Sequence, residues 1–318
     1  MPEISVIMSV FNENENEIIQ SVQSILKQTF DDFEFVIMYD NPGYDELWVL
    51  LEELSEQDDR IILMKNRENL GLPKSLNKAL EISNGKYIAR MDADDVASKD
   101  RLKKQYDFLA QNKDIGVVAS DRLNIDENGT VIDTIHIVVN NHDIAKKAMN
   151  YYNIYAHPTL MFRREVIESV GGYRNFKAAQ DYDLLLRLLI QNVNIYIINE
   201  PLLFYRVRNS SITQKNIAVQ RAYQLYALKL YRNRGEYSEM DRENFFIKHH
   251  FYTSIQQENY NKAYKKYKES ILEFKNGKKI AALNSILSAI YFHREILVFM
   301  IHSLIFHNII RGYRWKTS

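Results

Sequence analysis

The chain has 318 residues, 46% hydrophobic and 26% charged, which is enough for one large domain with a smaller appendage and excludes wholesale disorder. It contains no cysteine, so disulfides, thiolate metal sites and cysteine nucleophiles are excluded together, and a reducing cytoplasm is the expected setting. Net charge is zero, yet residues 215–318 hold 18 basic against 8 acidic side chains, leaving 23 basic and 33 acidic of the 41 each for the rest.

Ile4–Val10 is a short apolar run with no basic stretch before it, so it reads as a first β-strand rather than a signal peptide. Ile18, Val22, Ile25 and Leu26 follow at helical spacing. Residues 33–38 are the next strand-like run and end in the turn-rich Tyr39-Asp40-Asn41-Pro42-Gly43. Residues 47–54 read as helix and 61–64 as strand, and Pro73 takes a first helical position ahead of Leu76, Ala79 and Leu80. A further strand at 87–91 runs straight into Asp92-Ala93-Asp94-Asp95. Leu102, Tyr106 and Leu109 then mark a helix and 115–119 a strand. This βαβα rhythm predicts an α/β domain with a mostly parallel, doubly wound sheet.

Beyond Ser120 the rhythm changes. Asn128-Gly129 reads as a hairpin turn, 159–162 as a strand, 184–190 as a helix, and 194–199 and 202–207 as two late strands. From Lys215 the pattern is helical, with stripes at Val219, Tyr223, Tyr226, Leu230 and at Tyr260, Tyr264, Tyr267, Ile271. The expected division is therefore 1–214 and 215–318. The tail's basic surplus suits an anionic surface or plain solvation of a lysine-rich helical face, while the acidic body disfavours nucleic acid as a partner. Residues 296–310 are apolar but include His302, Ser303, His307 and Asn308, and fall short of the roughly 20 residues of a spanning helix. With Arg311, Arg314, Trp315 and Lys316 behind them, they read as a peripheral membrane contact, a core helix being the rival reading.

In open α/β sheets, ligands bind beyond the carboxyl ends of the strands. Asp40 and the Asp92/Asp94 pair fall at such ends, and Asp181 follows a later run. Alternate carboxylates just past a strand can hold a hard divalent cation through oxygen and leave positions open for phosphate. Such a cation offsets the charge that grows on a departing diphosphate. Alone, Asp-X-Asp is a weak signal, because such triplets also make turns and helix caps; its position after an apolar strand strengthens it. Asp181 stands just before a helix, a place that favours an ionised carboxylate.

A set of segments now stands in order. They are Ser5-Val6-Ile7-Met8-Ser9-Val10-Phe11-Asn12-Glu13, Phe33-Glu34-Phe35-Val36-Ile37-Met38-Tyr39-Asp40, Asn69-Leu70-Gly71-Leu72 and Gly85-Lys86-Tyr87-Ile88-Ala89-Arg90-Met91-Asp92-Ala93-Asp94-Asp95. Gly171-Gly172-Tyr173, Gln180-Asp181-Tyr182-Asp183 and Tyr205-Arg206-Val207-Arg208-Asn209-Ser210-Ser211 complete it. In order and spacing the set closely resembles the family-2 glycosyltransferases of the GT-A fold, common in bacterial capsule, exopolysaccharide and O-antigen synthesis. The resemblance covers residues 1–212; the tail has no comparable motif.

The resemblance implies an inverting, metal-dependent enzyme that moves a hexosyl or N-acetylhexosaminyl group from a UDP-sugar to a saccharide acceptor. That acceptor would be carried on a polyprenyl diphosphate at the inner face of the cell membrane. Ser9 and Phe11 match positions that line the nucleotide base, Asp40 the acceptor of a uracil hydrogen bond, and Glu13 a lesser candidate for the same pocket. Asp92 matches the first acid of the metal motif, near the ribose and donor sugar, Asp94 the acid bound to Mn²⁺ or Mg²⁺, and Asp181 the general base. Three departures stand out. Tyr39 replaces the acid usual before Asp40, beside an enlarged Pro42-Gly43 loop. Gln180 replaces a common Glu, which removes a like charge beside Asp181. Arg208 replaces a common His at the metal. Arginine cannot ligate a cation but can bind diphosphate, so Arg206 and Arg208 are candidates for it, with surface-loop arginines as the alternative.

Other residues rank lower. His157-Pro158 reads as a structural turn ahead of an acceptor contact; Arg67 and Lys74 are loop charges or nucleotide contacts in equal measure; His249-His250 reads as surface. Rival classes are a sugar nucleotidyltransferase, a glycoside hydrolase and a non-catalytic sugar- or partner-binding module. The first is disfavoured because Phe11-Asn12-Glu13-Asn14-Glu15 has no glycine to cradle a triphosphate. A glycoside hydrolase needs two carboxylates but neither a metal motif nor a nucleotide pocket. The binding module is disfavoured by the intact Asp94 and Asp181.

Overall fold

The first two strand-like runs become β1 (Ile4–Val10) and β2 (Phe33–Tyr39), and every residue of both is buried. Apolar side chains on both faces require cover on both faces, which crossover helices supply. The structure, a computed structural model, describes residues 1–137, 139, 142–207, 217–234 and 236–317, with side chains described to residue 311. The chain forms two units: Met1–Lys146 with Asn153–Asn209, and Lys147–Tyr152 with Ser210–Ser318. From sequence alone, 147–152 falls in the first domain; in the fold it belongs with the second unit.

In the first unit β1 is followed by α1 (Glu15–Leu26), opened by an Asn14–Glu17 capping box. Then come β2, α2 (Asp45–Ser55), β3 (Ile61–Lys65), α3 (Leu72–Ile82) and β4 (Tyr87–Asp92). β3, β2, β1 and β4 are parallel neighbours in that order. The two-residue β5 (Val96–Ala97), α4 (Arg101–Gln111), β6 (Ile115–Ile125), β7 (Val131–Ile135), α5 (His142–Met149, of which 147–149 count with the second unit), β8 (Met161–Arg163), α6 (Arg164–Ser169), α7 (Gln180–Ile190) and β9 (Asn194–Arg206) follow. Among the described residues the sheet has nine strands: β8 joins β4 and β6 antiparallel, β6 and β9 run parallel, β5 closes the far edge and β7 pairs with β6. It is a mixed sheet whose first half is parallel as expected.

Two differences from the sequence pattern have local causes. β6 runs on to Ile125 because it pairs with β7 across the expected hairpin, where the Asp126 carboxylate accepts the N–H of Asn128 at 2.9 Å and of Thr130 at 2.8 Å. Residues 194–206 form one strand rather than two. Its register against β6 jumps from Ile198 to Pro201, since proline has no N–H for the ladder and two residues bulge past it.

The second unit holds α8 (Ile217–Asn233), α9 (Glu239–Lys248), α10 (Ser254–Lys275), α11 (Lys279–Phe292) and α12 (Glu295–Thr317). Its core is small: Ala218, Ala222, Phe251, Tyr260, Ala263, Ala289, Ile296 and Phe299, with Tyr152 packed against it. α12 is two-faced. Ile296 and Phe299 point inward with His302, while Leu297, Ile301 and Leu304 are 44%, 46% and 65% exposed. The apolar 296–310 run is thus half core and half surface. Among the described residues, no helix is long and apolar enough to cross a membrane.

Candidate active site at the carboxyl ends of the parallel strands

β4 ends at Asp92, beside Ser9 of β1, and the Ser21 hydroxyl of α1 holds the Asp92 carbonyl at 2.9 Å. The chain turns there, so Asp92, Asp94 and Asp95 bring carboxylate oxygens within 4.8 Å of one another. Asp92 and Asp94 are half-buried, whereas Asp95 is 1% exposed. One Asp95 oxygen accepts the Arg206 backbone N–H at 2.8 Å; the other is buried with no hydrogen-bond partner. Burial, and then the charges of Asp92 and Asp94, push the Asp95 carboxyl well above the ordinary carboxylate range. Three hard oxygen donors, mutual repulsion and an orphaned buried oxygen fit a divalent cation. Asp95 is the ligand candidate that sequence pattern missed, although the acid run itself signalled it.

The Arg90 guanidinium is fully buried and pairs through Nη2 with the Asp92 carboxylate. Arg206, a diphosphate candidate, is engaged within the fold. Its side chain is 2% exposed, and it donates to the carbonyls of Asp94 at 2.9 Å, Asp126 at 3.1 Å and Glu127 at 3.0 Å, and to Gln20 Oε1 at 2.9 Å. Glu17 lies 3.6 Å away. Arg206 is the brace of the acid loop, with its fork turned inward. Arg208 lies outside the described residues.

On the base side, Ser9 is nearly buried at the end of β1 and Phe11 is 36% exposed in the loop after it. The Phe11 N–H donates to Glu13 Oε2 at 2.7 Å, and Asn41 Nδ2 donates to the Phe11 carbonyl at 2.9 Å, so the loop is held at both ends. Asp40, the uracil candidate, is also engaged within the fold. Asp40 is 2% exposed, and its carboxylate accepts from Asn66 Nδ2, the Leu70 N–H and the Gly71 N–H, each at 2.8 Å. It anchors the Asn69-Leu70-Gly71 loop ahead of α3, where Gly71 takes φ 79°, a left-handed value that glycine tolerates. Tyr39, in the place of the usual acid, donates its hydroxyl to the Tyr44 carbonyl and packs against Trp48 at 5.7 Å. Arg67 and Lys74 are exposed.

Asp181 is the second residue of α7, behind Ala179 in the left-handed region at φ 55°. Asn153 Nδ2 donates to Asp181 Oδ2 at 2.8 Å. The backbone N–H groups of Asp181 and Tyr182 pull its pKa down, as the helix start predicts, but burial outweighs them and lifts it to about 6. Asp92 adds to the rise and Arg90 opposes it, so base candidate and acid loop feel each other's charge. His157 is buried with Nε2 2.8 Å from the Tyr173 hydroxyl; burial, then Arg90, hold its pKa well below the usual range, so it is neutral. Asp183 is structural: it pairs with Arg174 at 3.2 Å and with Arg187 at 2.8 Å. Ser9, Phe11, Glu13, Asp92 and Asp94 thus gather at the carboxyl ends of β1 and β4, Asp181 lies within electrostatic reach, and Asp40 and Arg206 serve as scaffold.

The sequence pattern of Glycosyl transferase family 2 matches residues 5–171. An uncharacterised glycosyltransferase of Methanocaldococcus jannaschii is 36% identical over 228 residues, covering 72% of this chain and 79% of that protein. The O-antigen biosynthesis glycosyltransferase WbnJ of Escherichia coli is 38% identical over 228 residues, 71% of this chain and 87% of that protein. Among solved structures, S. aureus TarS 1–349 in complex with UDP-GlcNAc superposes with a TM-score of 0.60 at 15% identity, over 90% of this chain and 91% of that one. The mannosyltransferase PcManGT of Pyrobaculum calidifontis, in complex with GDP-Man and Mn²⁺, gives 0.59 at 15% identity over 100% and 88%. The fold is of the GT-A type.

Proposed function

The chain belongs to glycosyl transferase family 2, and on that premise we propose that it transfers a hexosyl or N-acetylhexosaminyl group from a UDP-sugar to a saccharide acceptor, with inversion, in surface polysaccharide synthesis. The observation that carries the reading is the Asp92/Asp94/Asp95 cluster with its orphaned oxygen, within electrostatic reach of Asp181. Asp94, Asp92 and Asp95 would hold Mn²⁺ or Mg²⁺, which when bound supplies positive charge against the diphosphate. Asp181 takes the proton of the attacking hydroxyl; a pKa near 6 leaves it ionised at neutral pH, yet basic enough to accept that proton. Phe11 offers an exposed ring for the base and Ser9 and Glu13 its walls. With Asp40 and Tyr39 turned inward, uridine preference rests on the fold's likeness to a UDP-GlcNAc complex, and a GDP-sugar complex shares the fold. The experiment is a donor screen: purified protein, Mn²⁺ and each nucleotide sugar, reading nucleotide release by slow hydrolysis. Release from one UDP-sugar that stops on chelation supports the proposal; release unaffected by chelator, or only from GDP-sugars, sinks it.

The acceptor we propose is lipid-linked and met at the cytoplasmic membrane face. Support comes from α11, where Ile280, Leu283, Leu287 and Tyr291 are 80%, 57%, 58% and 87% exposed along one stripe, and from the exposed Lys275 at the end of α10 with Lys278 and Lys279 at the start of α11. Apolar side chains rimmed by lysine suit an anionic bilayer surface. Phe299 and Phe306, which the sequence pattern offered to lipid, instead pack on Tyr152 at 5.9 and 5.3 Å. Removing residues 294–318 would therefore take Ile296 and Phe299 out of the core, so surface substitutions on α11 are the cleaner test.

A further inference from the structure

Arg90 sits on β4 with no part of its side chain exposed, two residues before the acid cluster. Nη2 meets Asp92 Oδ1, while Nε and Nη1 have no hydrogen-bond partner. Other arginines of the same unit are placed differently. Arg101 gives Nε to Gln105 at 3.1 Å, Nη1 to the Met91 sulfur at 3.3 Å and Nη2 to the Arg90 carbonyl at 2.7 Å. Arg163 places Nε, Nη1 and Nη2 on Ile115, Tyr87, Leu109 and Asn112, and Arg206 places its whole fork as described. Among the described residues of this unit, no other arginine leaves a buried nitrogen unpartnered.

A guanidinium that locks a fold satisfies its donors, whereas a buried charge with one ion pair and two unmade hydrogen bonds lowers stability relative to an apolar side chain of similar size. Packing therefore does not account for arginine here. Its one placed bond does: Nη2, on a flat and rigid guanidinium, holds Asp92 Oδ1 in position more closely than a flexible ammonium would. We propose that Arg90 is a positioning residue of the transfer reaction, setting the orientation of the Asp92 carboxylate within the acid cluster so that cation and donor diphosphate bind productively. The proposal rests on the reading of Asp92 as part of the donor site. Arg90 lies within electrostatic reach of Asp95, Asp181 and His157, so it stands at the point where cluster and base meet.

The test is a double-mutant cycle read by calorimetry of UDP binding in the presence of Mn²⁺, with thermal unfolding in parallel. Arg90→Met should weaken Mn²⁺–UDP binding by about 10–100-fold, the usual effect of removing a group that orients a metal-site carboxylate, with a midpoint equal to or above the parent's. Asp92→Asn should weaken it at least as much, and the double variant should be no weaker than Asp92→Asn alone. A folded Arg90→Met that binds normally beside a weakened Asp92→Asn overturns the proposal, as do additive losses in the double variant. If Asp92→Asn itself binds normally, the donor-site reading of Asp92 falls, and this proposal with it. Should Arg90→Met not fold, Arg90→Lys decides: it keeps the charge but not the fork, so normal binding overturns the orientation role and weakened binding upholds it.

Discussion

The sheet unit buries more charge than the helical unit. In the sheet unit Asp40, Arg90, Asp95, Arg101, Asp121, Asp183 and Arg206 are all buried, and most of their polar atoms are matched one to one. In the helical unit the apolar core is eight apolar or tyrosine side chains, Arg221 and Glu295 are buried beside it, and ion pairs such as Lys262–Glu258 and Lys266–Glu269 lie at the surface. Buried networks specify one geometry at a cost in stability, while surface pairs add little to either. The first unit is therefore built to hold atoms in place, the second to present a surface.

The largest expected effect breaks the precise region at its centre. Asp94→Asn, or EDTA with the parent protein, should abolish sugar transfer while circular dichroism stays unchanged; persistent transfer in chelator would remove the cation from the mechanism. Next, Asp181→Asn should cut turnover by about 10²–10⁴-fold with Mn²⁺–UDP affinity little altered. In the parent, kcat/KM should fall tenfold per pH unit below about 6, because the base is lost as its carboxyl protonates. The stability sign is the reverse. The folded pKa of about 6 exceeds the unfolded 3.8, so the folded chain holds the proton longer, and stability falls as pH rises from 3.8 through 6. Asp181→Asn should consequently be more stable than the parent at pH 8, by about 1–3 kcal/mol. A variant that is less stable there would mean that Asp181 is a structural carboxylate.

Arg206→Ala comes third, as the test of scaffold against ligand contact. Removing a buried, fully engaged guanidinium should cost about 3–5 kcal/mol in urea unfolding, and Arg206→Lys should not restore it because the fork is lost. If Arg206→Ala kept parental stability and lost only nucleotide affinity, the diphosphate reading would return. The smallest effect belongs to the helical surface. Leu283→Glu with Leu287→Glu should leave stability within about 0.5 kcal/mol each and donor hydrolysis intact, yet reduce cosedimentation with anionic vesicles. Unchanged sedimentation would leave that stripe without a lipid role.

Legibility in the sequence follows the range of the interaction. β1, β2 and β4 could be read because an apolar run between turn residues records its own burial. The Asp92-Ala93-Asp94-Asp95 cluster was readable for the same reason, as a local run at a strand end. The internal partners of Asp40 and Arg206 were not readable because they lie far along the chain: Leu70 is 30 residues from Asp40, and Asp94 and Gln20 are 112 and 186 from Arg206. A carboxylate aimed at a ligand and one aimed at a distant loop have the same sequence signature. Arg90 was passed over as one residue of a motif, since nothing local tells a satisfied guanidinium from an unsatisfied one.

The reach of Arg206 also bears on how the protein comes into being. The bond from its N–H to Asp95 spans 111 residues, so the loop that carries all three aspartates is not braced until the last strand of the sheet is in place. Contacts of such separation close late, after their chain entropy has been lost. A growing chain that has already released Asp92, Asp94 and Asp95 from the ribosome therefore carries the candidate ligands before their loop is braced. Mn²⁺ should slow unfolding of the finished protein and leave the early refolding phase untouched, a difference that stopped-flow fluorescence with and without the ion would register.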